Sequence, residues 1–282
     1  MIRIYPFIFI LLWSSAFITT KPIVDNSDPF SALAFRFFFV ALGFYLFSIY
    51  SKQSILVNQK NLIESLLSGV LFHGFYLGGV FYSISIGMPT GIAALIVTLQ
   101  PILTNTLSGP ILGEKVTVKQ WIGVFLGFLG AVMVLGIDVG SNIPILGLVA
   151  TIIALVSITA STIWQKKLSN NLPLSVSNFY QAIGGCLFHI VVIIFFSQPY
   201  IDFTETFVIA MGHQIFLVSF GAFTILMFLI KNNSASKTVS IFFLIPTTSA
   251  FMAWLFLNEN LSSLDLLGFL ITTIGVYIAT RD

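Results

Sequence analysis

The chain is built of apolar runs, each near twenty residues long, separated by breaks too short to hold another domain. The runs occupy 4–20, 30–50, 62–86, 91–112, 120–137, 144–164, 174–196, 207–230, 238–257 and 264–280. A helix needs roughly 20 apolar residues to cross the hydrocarbon core of a bilayer, so the pattern predicts about ten transmembrane helices. The runs are continuously apolar and do not alternate with period two, which argues against a membrane β-barrel. Composition agrees. The chain is 57% hydrophobic and only 8% charged, whereas soluble domains carry about 25% charged residues. The expected fold class is an all-α integral membrane protein, with lipid over most of its surface. The first run resembles a secretory signal, but no small-residue cleavage site follows it, so it is expected to stay as the first span. The single cysteine, Cys186, excludes an internal disulfide and a cysteine-based metal cluster. No cofactor or metal is expected, and a net charge of +2 leaves no nucleic-acid footprint.

Lysine and arginine set the expected orientation. With a cytoplasmic N-terminus, Arg3, Lys52, Lys60, Lys115, Lys119, Lys166, Lys167, Lys231, Lys237 and Arg281 all fall inside. Lys21 alone falls outside, and Arg36 lies within a span. Asp25, Asp28, Asp138, Asp202, Glu205, Glu259 and Asp265 fall outside. Both termini are therefore expected in the cytoplasm.

Two stretches look alike: "LQPILTNTLSGPILGEK" at 99–115 and "LIPTTSAFMAWLFLNEN" at 244–260. Pro101 and Pro246 stand 145 positions apart, as do Glu114 and Glu259, Gly123 and Gly268, Gly130 and Gly275, and Lys21 and Lys166. Coincidences of scarce residues at one ungapped offset predict a tandem of two five-span halves, 1–140 and 141–282. Five is odd, so the second half should enter the membrane inverted, an arrangement secondary transporters use for alternating access. Each proline removes the backbone bond to the residue four back, Val97 or Phe242. Such bends are tolerated where they face protein or a cavity. Pro101 and Pro246 are thus either static packing kinks or hinges for gating.

The 5+5 repeat, the proline followed thirteen residues later by glutamate, and the glycine-bearing spans "WIGVFLGFLGAVMVL" and "LLGFLITTIGVYIA" resemble the drug/metabolite transporter superfamily, in its EamA-type branch. The resemblance covers essentially the whole chain. It implies a ten-helix inner-membrane carrier whose first four helices in each half line a central cavity, with the fifth of each half at the periphery. It also implies a cargo among amino acids, nucleotide-linked or phosphorylated metabolites and drugs, often moved outward. One departure is that Asn260 stands where the first half has Lys115.

Polar residues inside spans are costly and are candidate sites by default. Arg36 lies about six residues, roughly 9 Å, below the outer boundary. It either snorkels toward Asp25 or Asp28 or anchors a substrate carboxylate with its planar fork. Its twin position holds Gln181. In the third span Gly69, His73, Tyr76, Val80 and Ser83 form one small and polar stripe. Thr98, Pro101, Asn105 and Ser108, with Gln100 beside them, mark the fourth span. Pro246, Thr247, Thr248 and Ser249 mark its twin. Trp13, Ser14 and Ser15 mark the first span, and Ser157, Ser161 and Trp164 the sixth. These are read as walls of one cavity, with Trp13, Arg36, His73, Tyr76, Gln100, Asn105, Ser157 and Gln181 expected to bind substrate. The alternative for the hydroxyls is bonding to their own helix backbone. Trp164 is alternatively an interfacial belt residue. No aspartate or glutamate lies deep in a span, so proton coupling would fall to His73, His189 or His213.

The expected function is a secondary carrier exporting a small metabolite, an amino acid or related zwitterion. The alternative is a broad-specificity drug exporter. Enzyme motifs such as H-E-x-x-H and G-x-S-x-G are absent. Lipid and a small-molecule substrate are the expected partners. "GVFLG" at 123–127 is either a homodimer face or an internal packing face.

Overall fold

The computed structural model describes residues 4–135, 143–168, 172–257 and 262–281. Arg3, Asp138 and Glu259 lie outside the described residues. The chain forms α1 (Tyr5–Asp25), α2 (Pro29–Tyr50), α3 (Gln59–Ser85), α4 (Thr90–Leu112), α5 (Val118–Leu135), α6 (Ile145–Leu168), α7 (Leu174–Phe196), α8 (Glu205–Asn232) and, at its end, α10 (Ser263–Thr280). Between the last two lies α9 (235–257), a segmented passage made of Ala235–Ser240, a 3₁₀ turn Ile241–Phe243 and Leu244–Leu257. It is an all-α membrane protein of about ten helices. Several helices outrun their apolar cores: α3 starts at Gln59 and α6 continues through Lys166 and Lys167. Charged termini of this kind prolong helical hydrogen bonding into the headgroup layer.

The starts are written locally. The Asp28 side chain accepts from Ser31 N ahead of Pro29 at the first turn of α2. Asn58, Thr204 and Ser234 cap α3, α8 and α9 in the same way, and Ser262 with Asp265 forms a capping box on α10. Each cap satisfies an otherwise orphaned N–H. Gly113 ends α4 at φ 70°, the left-handed conformation glycine adopts without steric cost.

Helix bounds repeat with the spacing of the sequence. A shift of 145 carries Thr90–Leu112 onto 235–257 and Val118–Leu135 onto Ser263–Thr280. It also brings the breaks next to the prolines to within two residues of each other. α4 is interrupted at Thr98 and Leu99, and α9 at Ile241–Phe243.

The two halves interleave. α1 packs on α8 and α9, α6 on α3 and α4, α2 on α7, and α5 most extensively on α10. At α5–α10 the backbones touch. Gly123 faces the backbone of Gly275 and Ala279, and Gly130 faces the backbone of Gly268 and Thr272. Gly123 has Gly268 as its sequence twin yet meets Gly275; Gly130 has Gly275 as its twin yet meets Gly268. The glycine face of "GVFLG" is therefore taken up within the chain.

At one end of the bundle the α1–α2 and α7–α8 connections bridge each other. Asp28 N donates to Tyr200 O at 3.0 Å and Asp202 N to Asn26 O at 2.8 Å. At the opposite end Lys166 Nζ donates to Ile230 O at 2.9 Å.

A Cβ at Gly275 would strike the backbone of Gly123 and Gly127, which cannot give way, whereas one at Gly212 meets nothing. Gly275→Val is expected to cost about 1–3 kcal/mol, read as a lowered thermal unfolding midpoint of the detergent-solubilised protein. Gly212→Ala should leave the midpoint in place.

Candidate functional site

Two helices depart from α-geometry where they pass the centre. α3 is π-helical over Val70–Tyr76, and α8 over Gln214–Ala222. Wide turns of this kind recur at functional sites because they redirect side chains and loosen the ladder of backbone bonds. Between them lies a cavity of about 40 Å³. Its walls are Trp13, Ala16, Phe17 and Thr20 of α1, Arg36 of α2, Phe72, His73, Tyr76, Leu77, Val80 and Phe81 of α3, and Gln214, Val218, Ser219 and Phe223 of α8.

Six aromatic rings, Trp13, Phe17, Phe72, Tyr76, Phe81 and Phe223, line that wall. Phe72 meets Trp13, Tyr76 and Phe223 at ring-centroid distances of 6.0, 5.3 and 5.0 Å. His73 is sandwiched between Phe37 at 4.4 Å and Phe223 at 4.6 Å. Neither nitrogen of its ring has a protein hydrogen-bond partner. Arg36 is 3% exposed. Its Nε donates to Ser219 Oγ at 2.9 Å and its Cζ lies 5.3 Å from the Phe37 ring centroid. Asp25 pairs with Lys21 instead, and Asp28 accepts from Ser31 and from Ser197. Among the described residues no carboxylate reaches Arg36, so snorkelling to those acids does not occur. Gln214 donates through Nε2 to Ala16 O and Thr19 Oγ1, while its Oε1 is buried without a protein partner.

The structure brings together four of the eight expected substrate-binding residues: Trp13, Arg36, His73 and Tyr76. The other four are buried elsewhere. Gln100 donates to Thr162 Oγ1 between α4 and α6. Gln181 accepts from Gln165 and donates to Ser177, in a network that also contains Ser68 and Ser161. Asn105 has no protein partner for either side-chain polar atom, and Ser157 is buried within α6. Pro101 is buried off the cavity, and Pro246 lines a smaller adjoining void with Trp13, Phe17 and Tyr76. Instead of one common wall, the polar residues form one cavity and several helix-to-helix networks. Ser14 donates to Ile245 O and Ser249 to Ser14 O, stitching α1 to α9. Thr20, Thr98, Thr159 and Thr162 bond back to their own helices. Trp164 faces a separate groove with Glu64 and Lys167. The cavity draws on α1, α2, α3 and α8 rather than on four helices of each half, and α5 and α10 pack on each other away from it.

Gln214 and Ser219 went unnoticed in the sequence for a physical reason. They are five apart, and an α-period of 3.6 separates them; only a π-turn sets them on one side.

The family model described as EamA-like transporter matches residues 3–136 and again 145–281. The chain belongs to the EamA-like transporter family. Among its relatives is YvbV of Bacillus subtilis (strain 168), named an uncharacterized transporter. It is 30% identical over 226 residues, 76% of this chain and 69% of that one. A probable amino-acid metabolite efflux pump of Escherichia coli (strain K12) is 23% identical over 96% of this chain and 91% of its own length. A solved crystal structure superimposes with a TM-score of 0.83 at 19% identity, over 99% of this chain and 96% of the other, and shares the fold. The protein is a multi-pass membrane transporter, set in a lipid bilayer and acting on a small molecule, not an enzyme.

In this EamA transporter the glutamate after the first proline has a defined contact. Glu114, at the end of α4, accepts from Ala235 N at 2.8 Å, Ser236 N at 3.2 Å and Ser236 Oγ at 3.0 Å. A carboxylate thus sits on the positive end of α9, the helix that repeats α4. Ser108 and Ser236 meet beside it at 2.8 Å. Glu114→Ala removes three charge-assisted bonds and is expected to destabilise the fold by about 1–2 kcal/mol. Thermal unfolding in detergent would register this as a midpoint several degrees lower.

Proposed function

We propose that this EamA transporter exports a small zwitterionic metabolite, an amino acid or close relative, by alternating access. The observation that carries the reading is Arg36. A guanidinium buried at membrane depth, with no described carboxylate in reach, calls for an anion from outside the chain. A substrate carboxylate supplies it, and the fork of arginine suits two parallel hydrogen bonds. Gln214 Oε1, an acceptor without a protein partner in the same cavity, suits the ammonium of a zwitterion. Trp13, Phe72, Tyr76 and Phe223 offer apolar and cation-attracting ring surface for the rest of the molecule. His73 is the remaining polar group positioned to touch substrate or to hold a proton there.

The two halves, 1–140 and 141–282, are read as inverted repeats whose exchange of shape opens the cavity to either side. Pro101 and Pro246 sit beside equivalent helix breaks and serve in this reading as hinges. The lysine and arginine asymmetry supports a cell-membrane orientation with both termini cytoplasmic. Fused at its C-terminus, green fluorescent protein should fluoresce and alkaline phosphatase should stay inactive; the opposite pair of results would reverse the orientation.

The reading is tested by counterflow. Proteoliposomes are loaded with a mixed amino-acid pool, and labelled single amino acids are added outside. The parent should accumulate label, and Arg36→Ala should reduce accumulation at least tenfold, as for loss of a charged hydrogen-bonded contact. The many aromatic and aliphatic side chains of the wall favour a second reading, a broad drug exporter. Transport of apolar drugs that Arg36→Ala leaves untouched would select it.

A further inference from the structure

We propose that Ser219 is a positioning residue for Arg36, presented by the π-turn of α8 so that the guanidinium receives a carboxylate end-on. The proposal rests on the reading of Arg36 as the anion anchor. Ser219 Oγ donates to Gln214 O, five residues back, at 3.1 Å. A carbonyl five residues back comes within reach where α8 is wound as a π-helix, Gln214–Ala222. With its proton committed there, the hydroxyl has lone pairs left, and one accepts from Arg36 Nε at 2.9 Å. Both bonds are buried, with Ser219 at 2% and Arg36 at 3% exposure.

The chemistry follows from the donor set of the guanidinium. A carboxylate can bind side-on, through Nε and one terminal nitrogen, or end-on, through both terminal nitrogens. Ser219 occupies Nε, which closes the side-on mode. The terminal nitrogens have no acceptor among the described residues, and Arg36 lines the cavity. Ser219 therefore decides which edge of the fork is free and holds the side chain in one rotamer before substrate arrives. Arg36 belongs to the first half and Ser219 to the second, so the anion site is complete only when α2 and α8 are in register.

The test measures counterflow of a labelled amino-acid mixture against its concentration, for the parent, Ser219→Ala, Ser219→Thr, Arg36→Ala and the double variant Arg36→Ala/Ser219→Ala. Ser219→Ala should raise the half-saturation concentration about tenfold, as for one hydrogen bond to a charged group, and keep the maximal rate. Ser219→Thr, which retains the hydroxyl, should stay within about twofold of the parent. The double variant should be no worse than Arg36→Ala. If Arg36→Ala abolishes uptake while Ser219→Ala matches the parent, the positioning role is wrong and the anchor stands. If Ser219→Ala lowers the maximal rate and the amount of folded protein together, and threonine does not restore them, Ser219 merely supports the helix. If Arg36→Ala transports as the parent does, or the parent accumulates no amino acid, the anchor itself falls and the proposal with it.

Discussion

Within a bilayer an unpaired peptide group finds no water, so a membrane helix can leave regular geometry only where other parts of the protein answer the groups it frees. Among the described residues this chain leaves it in four places: the π-turns of α3 and α8, and the breaks of α4 and α9 beside the prolines. All four lie where the halves meet. His189 of α7 pairs with His73 O in the π-turn of α3. Arg36 of α2 reaches the π-turn of α8. The second helix of each half thus steadies the irregular third helix of the other. The cavity lies between those two irregular helices, whose π-turns bring His73, Tyr76, Gln214 and Ser219 to it.

Burying Arg36 is the expensive step. An arginine at membrane depth costs a few kcal/mol or more on insertion scales. One hydrogen bond to a neutral hydroxyl and a ring face at 5.3 Å answer only part of this, and the terminal nitrogens are left without an acceptor among the described residues. The site is therefore held in a condition that a bound anion improves. A cavity that was content when empty would have little to gain from a cargo.

Much of this architecture could be read from residue order. Helix existence followed from run length, and the spacing of 145 from the prolines and glycines. Trp13, Arg36, His73 and Tyr76 stood out because polar or amphipathic groups at α-spacing are conspicuous in an apolar helix. What was hidden was the assignment of partners. Gln100, Asn105, Ser157 and Gln181 look equally conspicuous, yet they lie between helices away from the cavity, and no one-dimensional pattern says which neighbour a polar side chain will face. Ser219 and Gln214 were hidden by the change of helical period itself. The role of Glu114 needed the start of α9, more than a hundred residues away in the chain.

The contact between α5 and α10 carries a consequence for how the molecule is made. The glycine face of α5 emerges from the ribosome more than a hundred residues before the helix that covers it. Until then the bilayer holds a stripe of nearly bare backbone with only lipid against it. α6 likewise packs on α3 and α4, and α1 waits for α8 and α9. Assembly is thus not the folding of one half followed by the other. Helices inserted early must remain side by side, loosely associated, until their counterparts arrive. A chain stopped before Ser263 would be left with an adhesive surface that any small-residue helix nearby can occupy.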